Sequence, residues 1–394
     1  MCHLNKIFLA AALLTISVAA RDQPLFSSEF IWDFFKATFD ERRNVAISPF
    51  SIRLGMTMLA HAVTDRYTLR QMIEKLHLPG SVVKATDQYR RMLRALGKDQ
   101  HLQYGTKMYA FGNDIFNPTF AANVATFNAS VERHSRLNMT DVPQLANSWA
   151  RATTSGMVGT VLSEKDLTPN TRMILLNAVA FACKWEHQFN VNSTKLEMFN
   201  AYGNGKLYMT DFMNLPHTML PMTLHDRLMM KAIELPFQMG SDYSLLIVMP
   251  LERDGNMTEM VGKLNHSSFK DLYDSLVPMR VSVKLPRVRL ANGVNVNSVF
   301  RKLHLTAPFE WSIFQIFKDE KLTLDKVKHS VTVLIDEEGV RAAAVSAFTM
   351  VTRSASLTFD ADRPFVFAIL KKSQQFPLFV GHFAYPSKAS LVKP

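Results

Sequence analysis

The sequence is poor in the residues and motifs that mark several protein classes. Its 394 residues include 2 cysteines, 15 glycines and 17 prolines, too few for a disulfide scaffold, a collagen-like chain or a low-complexity chain. After residue 20, no uncharged apolar run reaches the roughly 20 residues that a membrane span needs. No GxGxxG, GxxxxGK[ST], HExxH, GxSxG or CxxC motif occurs. We therefore expect no cofactor, metal site or membrane partner and no enzyme, although a triad assembled from distant residues stays open.

The apolar residues that are present suffice for a large core. Hydrophobic residues make up 47% of the chain and charged residues 20%. The length suggests roughly two or three domains, but no linker, charge block or repeat divides the chain, which favours one large domain. The net charge of +11 suits nucleic acid, an acidic membrane, a sulfated polysaccharide or simply a soluble basic surface.

Residues 1–20 have the pattern of a cleaved secretory signal. Lys6 precedes an apolar stretch over residues 7–18, and small residues continue to Ala20. The stretch is too short for a membrane anchor, which is the alternative. We expect a secreted, extracellular chain from about residue 21 onward. Loss of Lys6 leaves 44 basic and 34 acidic residues, a charge of +10, and secretion argues against a nucleic-acid partner.

Removal of the signal would take Cys2 with it and leave Cys183 as the one thiol of the secreted chain. Secretion would also expose five tripeptides to glycosylation. Cys183 lies in an apolar run, so it is predicted to be a buried small hydrophobe, and the alternative is a reactive or intermolecular thiol. Five sequons are available for glycosylation: Asn128, Asn138, Asn192, Asn256 and Asn265.

Helical patterns precede strand patterns along the chain. Helices are predicted after Ser48-Pro49 and over about 27–39, 65–76, 82–97, 119–133 and 144–156. From Arg172 onward, short apolar runs bounded by proline, glycine or polar residues favour buried strands: 173–182, 231–237, 243–250, 281–286, 330–335, 364–370 and 377–383. This order predicts an α+β domain.

The segment from Ile335 to Phe367 carries the most information about function. It runs from acidic residues and Gly339 through an alanine-rich stretch to Asp362-Arg363-Pro364-Phe365. As a strand, residues 340–350 would place every even-numbered side chain on an uncharged face, and Arg341 on the other. The segment could therefore enter a sheet without burying an ion, which would cost several kcal/mol. An ordinary exposed loop is the alternative.

At this point the chain resembles the serpin family. Glu337-Glu338-Gly339 with the alanine run is similar to the family's hinge, and 359–367 to its C-terminal signature. Further similar segments occur in the same order as in the family: Asn44 with 48–52, Asn147 with Trp149, 176–178 with Lys184-Trp185, 234–237, 285–287, His329 and 377–381.

The resemblance implies a single serpin domain over 21–394, with three β-sheets, about nine helices and an exposed reactive loop over about 338–360. In inhibitory members a protease cleaves this loop, and the loop inserts into the main sheet while the protease is still attached. The hinge would comprise Glu337, Glu338, Gly339, Val340, Arg341, Ala342, Ala343 and Ala344. The region that opens to admit the loop would contain Ser51, Asn177, Trp185 and His329, whose alternative role is a static buried hydrogen-bond cluster.

The scissile bond is predicted twice at Arg353-Ser354. Counting sixteen positions onward from Glu337 and eleven back from Pro364, as in the family, both times reaches Arg353, the only basic residue between Ala342 and Asp362. Arginine before the bond indicates a trypsin-like serine protease as covalent partner. The fallback bonds are 351–352 and 350–351.

Two residues of the hinge depart from the family pattern and bear on inhibition. Val340 and Arg341 replace a small hydroxyl and an acidic residue of the family pattern, and bulky Val340 would slow insertion. The alternative function is therefore a non-inhibitory serpin acting as a carrier, storage or signalling protein.

A strip of basic residues is predicted on the helix over 82–97 and just beyond it: Lys84, Arg91, Arg94 and Lys98. This strip would bind a heparin-like polysaccharide, and the alternative is a solvated helix face. We expect a monomer.

Overall fold

The computed structural model describes residues 28–97, 101–135, 139–201, 206–340, 357–386 and 390–391. Ten α-helices lie within these residues: α1 Glu29–Thr38, α2 Pro49–Ala60, α3 Arg66–Lys75, α4 Val82–Leu96, α5 Pro118–Thr126, α6 Val142–Thr153, α7 Met257–Lys263, α8 His266–Asp274, α9 Val296–Lys302 and α10 Ala307–Glu310. No helix in these ranges is long and apolar enough to cross a membrane.

The described residues also contain seventeen strands. They are β1 Val45–Ile47, β2 Leu102–Phe111, β3 Ala129–His134, β4 Met173–Phe181, β5 Cys183–Lys184, β6 Lys195–Ala201, β7 Lys206–His225, β8 Met230–Pro236, β9 Tyr243–Pro250, β10 Val277–Pro286, β11 Val288–Asn295, β12 Lys326–Ile335, β13 Gly339–Val340, β14 Leu357–Asp360, β15 Phe365–Lys371, β16 Phe376–Phe383 and β17 Ser390–Leu391.

The strands form three sheets in the described part of the chain. The five-stranded sheet has the order β11-β12-β4-β2-β3, with β12 parallel to β4 and β2 parallel to β3. The ten-stranded sheet has the order β1-β16-β15-β9-β8-β7-β10-β14, and β6 and β17 also pair with β7. A third sheet contains only β13 and β5. The expected α+β class and three sheets are confirmed, and the described part of the chain contains ten helices where about nine were expected.

The main core lies between the two large sheets and is crossed by α2. This helix begins with Pro49 at its first turn, where a missing backbone N–H costs nothing. All of its residues are buried, and it contacts β16 of one sheet and β4 of the other. The helix therefore packs between the two sheets and sets the distance between them.

The central strand β4 is buried on both faces. Leu175 and Val179 belong to the main core, whereas Ile174, Leu176 and Ala178 pack in a second cluster with Ala146 and Ala150 of α6. Burial on both faces explains why β4 is a continuous apolar run in the sequence. Helix α6 thus covers the outer face of the five-stranded sheet.

The prediction of helices over the first 160 residues is wrong in two places. The helix expected over 119–133 ends at Thr126, because Asn128 has a positive φ of 50° and residues 129–134 then form β3. The strand β2, at 102–111, was not predicted. Pairing of β2 with β4 and β3, which are distant in sequence, decides both cases, and local propensity carries no information about such pairs.

Candidate functional site

The seam between β12 and β4 runs through the middle of the five-stranded sheet. Seven residue pairs, from Lys326 opposite Ile174 to Thr332 opposite Ala180, join the strands in parallel. Strand β12 ends at Ile335, and the predicted hinge begins two residues later. Residues 337–340 of the hinge are described. The sheet is therefore closed along this seam in the described residues.

A buried polar cluster spans the seam at its middle. Asn177 on β4 and His329 on β12 are directly opposite, and the His329 Nδ1–H donates to Asn177 Oδ1 over 2.9 Å. Ser51 of α2 donates to the same Oδ1 over 2.6 Å. The backbone N–H of Ser48 donates to His329 Nε2 over 2.9 Å, which fixes a neutral imidazole protonated on Nδ1. Burial lowers the pKa of His329 to about 3.

The hinge follows β12 and is held by a glycine. Gly339 has φ +145°, and a Cβ there would lie 2.2 Å from the carbonyl oxygen of Cys183. Only glycine allows the backbone this close, and the approach lets β13 pair antiparallel with β5. The hinge backbone thus already lies beside the strand that continues β4.

Glu337 anchors the hinge through a buried carboxylate. The guanidinium of Arg287 donates to it from Nη2 over 2.6 Å and from Nε over 3.0 Å, and the Thr194 hydroxyl donates over 2.5 Å. Burial acts to raise the pKa of Glu337, but these hydrogen bonds outweigh it, and the pKa lies below its ordinary value. Arg287 also pairs with Asp211 over 2.9 Å. The hinge is therefore tied to β10–β11 and β7 by a charge-assisted network.

Trp185 lies at the hinge and not with the other residues of the predicted opening region. Its indole Nε1–H donates to the carbonyl of Asp336 over 2.8 Å, and its backbone N–H donates to the backbone carbonyl of Glu338 over 2.9 Å. Its ring stacks on Phe237 with centroids 4.8 Å apart. Ser51, Asn177 and His329 form one hydrogen-bonded cluster, whereas Trp185 contacts the hinge end of the seam.

Arg287, Thr194 and Asp211 were not identified as site residues from the sequence. Arg287 entered only as part of a family-like segment, and Thr194 only as the last residue of the Asn192 sequon. They lie 50 and 143 positions from Glu337, and no local pattern links them to it.

Several predicted residues lie outside the described residues. These are Arg341, Ala342, Ala343, Ala344, Arg353, Ser354, Asn138 and Lys98. Of the others, Asn128, Asn192, Asn256 and Asn265 are exposed, as are Lys84, Arg91 and Arg94 on α4. Cys183 is buried, as predicted. No group of three acidic, histidine or cysteine side chains suited to a metal occurs in the part of the chain that is described.

Comparison with known proteins agrees with this arrangement. The family model described as "Serpin (serine protease inhibitor)" matches residues 26–386. Serpin-ZXA of Oryza sativa subsp. japonica is 29% identical over 372 residues, which cover 88% of this chain and 91% of that protein. The FXa-directed anticoagulant of Aedes albopictus is 28% identical over 383 residues, which cover 91% of this chain and 86% of that protein.

Solved structures share the fold at low sequence identity. Native protease nexin-1 with heparin has a TM-score of 0.81 and 22% identity, and covers 92% of this chain and 100% of its own. Thyroxine-binding globulin in complex with thyroxine has a TM-score of 0.81 and 20% identity, with 92% and 98% coverage. The family model spans residues 26–386, nearly the whole chain, so the chain belongs to the serpin family.

Proposed function

We propose that this chain is a secreted suicide inhibitor of a trypsin-like serine protease, cleaved at Arg353-Ser354. The observation that carries the proposal is the parallel β12–β4 seam with the hinge at its end. A chain that leaves β12 and reverses at the hinge runs antiparallel to both strands, so it can hydrogen-bond to each of them. The antiparallel pairing of β13 with β5 is the first step of such a strand.

The hinge register predicts where the inserted residues would lie. Gly339 is opposite Lys184 and Val340 opposite Cys183. Continued without a bulge, this register places Ala344 opposite Val179 and Ser346 opposite Asn177. Even-numbered loop residues would then share the core face of β4, and the Ser346 hydroxyl would offer Asn177 a hydrogen bond when His329 moves away.

The same register fixes how far a bound protease would travel. Residue 350 falls opposite Met173, the first residue of β4, so about eleven loop residues fit beside the strand. At about 3.3 Å per residue, the inserted segment spans roughly 35 Å, and Arg353 would lie beyond its far end. A protease held by an ester to Arg353 would be carried the same distance, and its catalytic site would be distorted before water completes hydrolysis. The chain acts once, as a substrate, and turns over no product.

Trypsin tests the proposal directly. We expect purified protein to form an adduct with trypsin that resists denaturation and to leave trypsin inactive. Arg353→Ala is the matched control and should form no adduct at this bond. Clean cleavage after Arg353 with full residual trypsin activity contradicts inhibition and favours the alternative, a non-inhibitory carrier, storage or signalling serpin. A gain in heat stability after such cleavage would still show that the loop inserts.

The proposed secretion has its own test. Export of the full chain from cultured cells should remove residues 1–20 and add glycans at the exposed sequon asparagines. Mass spectrometry of the exported protein should find Arg21 near the new amino terminus. Retention of the intact amino terminus inside the cell contradicts this part of the proposal.

A heparin-like polysaccharide is a second proposed partner. Lys84, Arg91 and Arg94 are exposed on α4 and make no ion pair in the described residues, whereas the neighbouring Arg90 pairs with Asp87 over 2.6 Å. The strip therefore has charge to offer a sulfated chain. Protease nexin-1, which shares the fold, was solved with heparin.

The paired and unpaired arginines supply a matched test on a heparin column. Arg91→Gln should lower the salt concentration of elution, and Arg90→Gln, which removes an already neutralised charge, should lower it less. Elution of the parent protein below physiological salt contradicts a specific site.

A further inference from the structure

A cleft lies on the outer face of the five-stranded sheet, away from both the hinge and α4. Its volume is about 830 Å³, within the range of small-molecule sites. One wall is the connector, residues 157–166, which lies between α6 and β4. The floor is the outward face of β12, including Lys326 and Lys328, and the far wall includes Arg301 of α9.

The cleft offers positive charge with unused hydrogen-bond donors. The ammonium of Lys328 donates to the carboxylate of Asp166. Burial acts to raise the pKa of Asp166, but the hydrogen bonds from Lys328 and Ser163 outweigh burial and lower this pKa to about 2. Lys326 Nζ is 3.7 Å from Asp166, too far for a hydrogen bond. Arg301 is exposed and makes no ion pair in the described residues.

The second carboxylate of the cleft, Asp325, is held by the backbone through one of its oxygens. Asp325 Oδ2 accepts the backbone N–H groups of Arg172 and Met173 over 2.6 and 2.9 Å. Among the described residues, three cations and two carboxylates line the cleft: Arg301, Lys326, Lys328, Asp166 and Asp325. The N–H donors of Arg301 and Lys326 are available to a ligand. A ligand that uses them must supply several anionic oxygens.

The cleft lies across the two parts of the fold that must separate when a strand inserts. Asn147 of α6 accepts the backbone N–H groups of Val161 and Leu162 over 2.7 and 3.0 Å, which ties the connector to the helix over β4. On the other side, the Thr332 hydroxyl of β12 donates to the carbonyl of Met157 over 3.0 Å. A ligand held between the connector and β12 would add a bridge over the seam.

We propose that this cleft binds a small multivalent oxyanion, such as an organic phosphate or a polycarboxylate, through Arg301 and Lys326. The bound anion is held from the β12 side by Arg301 and Lys326 and fills the cleft against the connector. It opposes movement of the connector away from β12, stabilises the closed sheet and slows insertion of a strand between β12 and β4. The binding step stands on the cleft alone, whereas the effect on insertion rests on the proposed function.

Calorimetric titration of the intact protein tests the binding step without a protease. Inorganic pyrophosphate and tricarballylate are the probes and separate phosphate from carboxylate recognition, with sodium chloride at equal ionic strength as the blank. We expect saturable binding of at least one probe, weakened about tenfold in Arg301→Gln. Arg280→Gln, an exposed arginine on β10, is the matched control and should bind as the parent does. No saturable binding, or equal loss in both variants, overturns the site.

A peptide copy of residues 340–351 tests the effect on insertion. Its annealing into the intact protein, followed by native electrophoresis, should be slowed severalfold by the saturating probe in the parent chain and unaffected in Arg301→Gln. An equal rate with and without the probe contradicts the bridge. A peptide that never anneals counts against the proposed function instead, and the titration then decides the anion site by itself.

Discussion

At the scale of single residues, His329 joins β12 to β4 and to the start of α2, so the proposed opening of the sheet would depend on it. Its imidazole is fully enclosed, accepts a bond from Ser48 and donates one to Asn177 across the seam. Insertion of a strand must break the bond to Asn177. Since an unpaired buried polar group costs about 1–3 kcal/mol, the closed state is stabilised until another group takes its place.

The first prediction concerns the pH dependence that His329 brings. An unfolded histidine binds a proton below a pKa of about 6.5, whereas the folded chain resists protonation of His329 down to its pKa of about 3. The free energy of unfolding should therefore fall as pH drops from about 6.5 toward 3, by roughly 1.4 kcal/mol per pH unit from this group. His329→Gln should remove that part of the slope in urea unfolding, and His187→Gln, at an exposed position, should keep it. An unchanged slope in His329→Gln contradicts the assignment.

The second prediction concerns the hinge anchor. Glu337→Gln removes the charge that Arg287 and Thr194 bind, and should lower the free energy of unfolding by about 1–3 kcal/mol near neutral pH. Because the pKa of Glu337 is depressed, this contribution is complete above the ordinary glutamate pKa of about 4.3 and is lost as pH falls through the lower folded value. Parent and variant should therefore converge in acid. Glu338→Gln, which removes no ion pair in the described residues, is the control, and an equal loss there argues against the anchor.

At the scale of elements, the register of β13 on β5 determines which loop side chains would meet the core. Ala344 would be opposite Val179, which is buried in the main core, and Ala343 would face the other side. A charged side chain on the core face has no partner there and costs several kcal/mol to bury. The register would therefore turn the even-numbered side chains of residues 340–350 toward the core, the same face that the sequence pattern leaves uncharged.

The third prediction uses this direction. Ala344→Glu should block insertion, so that trypsin cleaves after Arg353 without forming an adduct and the cleaved protein gains no heat stability. Ala344→Ser, small and uncharged, should still trap trypsin. Adduct formation by Ala344→Glu at the parent level would place residue 344 away from the core and refute the register.

The sequence predicted correctly those elements whose structure depends on local signals and not on pairing with distant segments. The helices α1, α3 and α4 lie within one or two residues of their predicted bounds, because caps and amphipathic spacing are local signals. Prediction failed for β2, which pairs with β4 and β3, and for β3, which pairs with β2. The same limit explains the site: Glu337 was recognised from its local segment, whereas Arg287 and Thr194 reach it only through the folded sheets.

At the scale of the whole molecule, the arrangement of the two large sheets supports the proposed strand addition. The two large sheets are separated by α2, and the outer face of the five-stranded sheet is covered by α6 and the connector. The parallel seam is crossed by the His329–Asn177 bond at its centre and closed at the hinge end by Glu337 and Trp185. A strand entering the seam replaces one parallel pairing by two antiparallel ones, which favours the inserted state once cleavage frees the loop.

The structure of the chain after cleavage at Arg353 tests this account most directly. We predict a six-stranded sheet in which residues 340–350 lie between β12 and β4, antiparallel to both, with Ser346 opposite Asn177 and Arg353 beyond the start of β4. A cleaved structure in which β12 still pairs with β4, from Lys326 opposite Ile174 to Thr332 opposite Ala180, would contradict it.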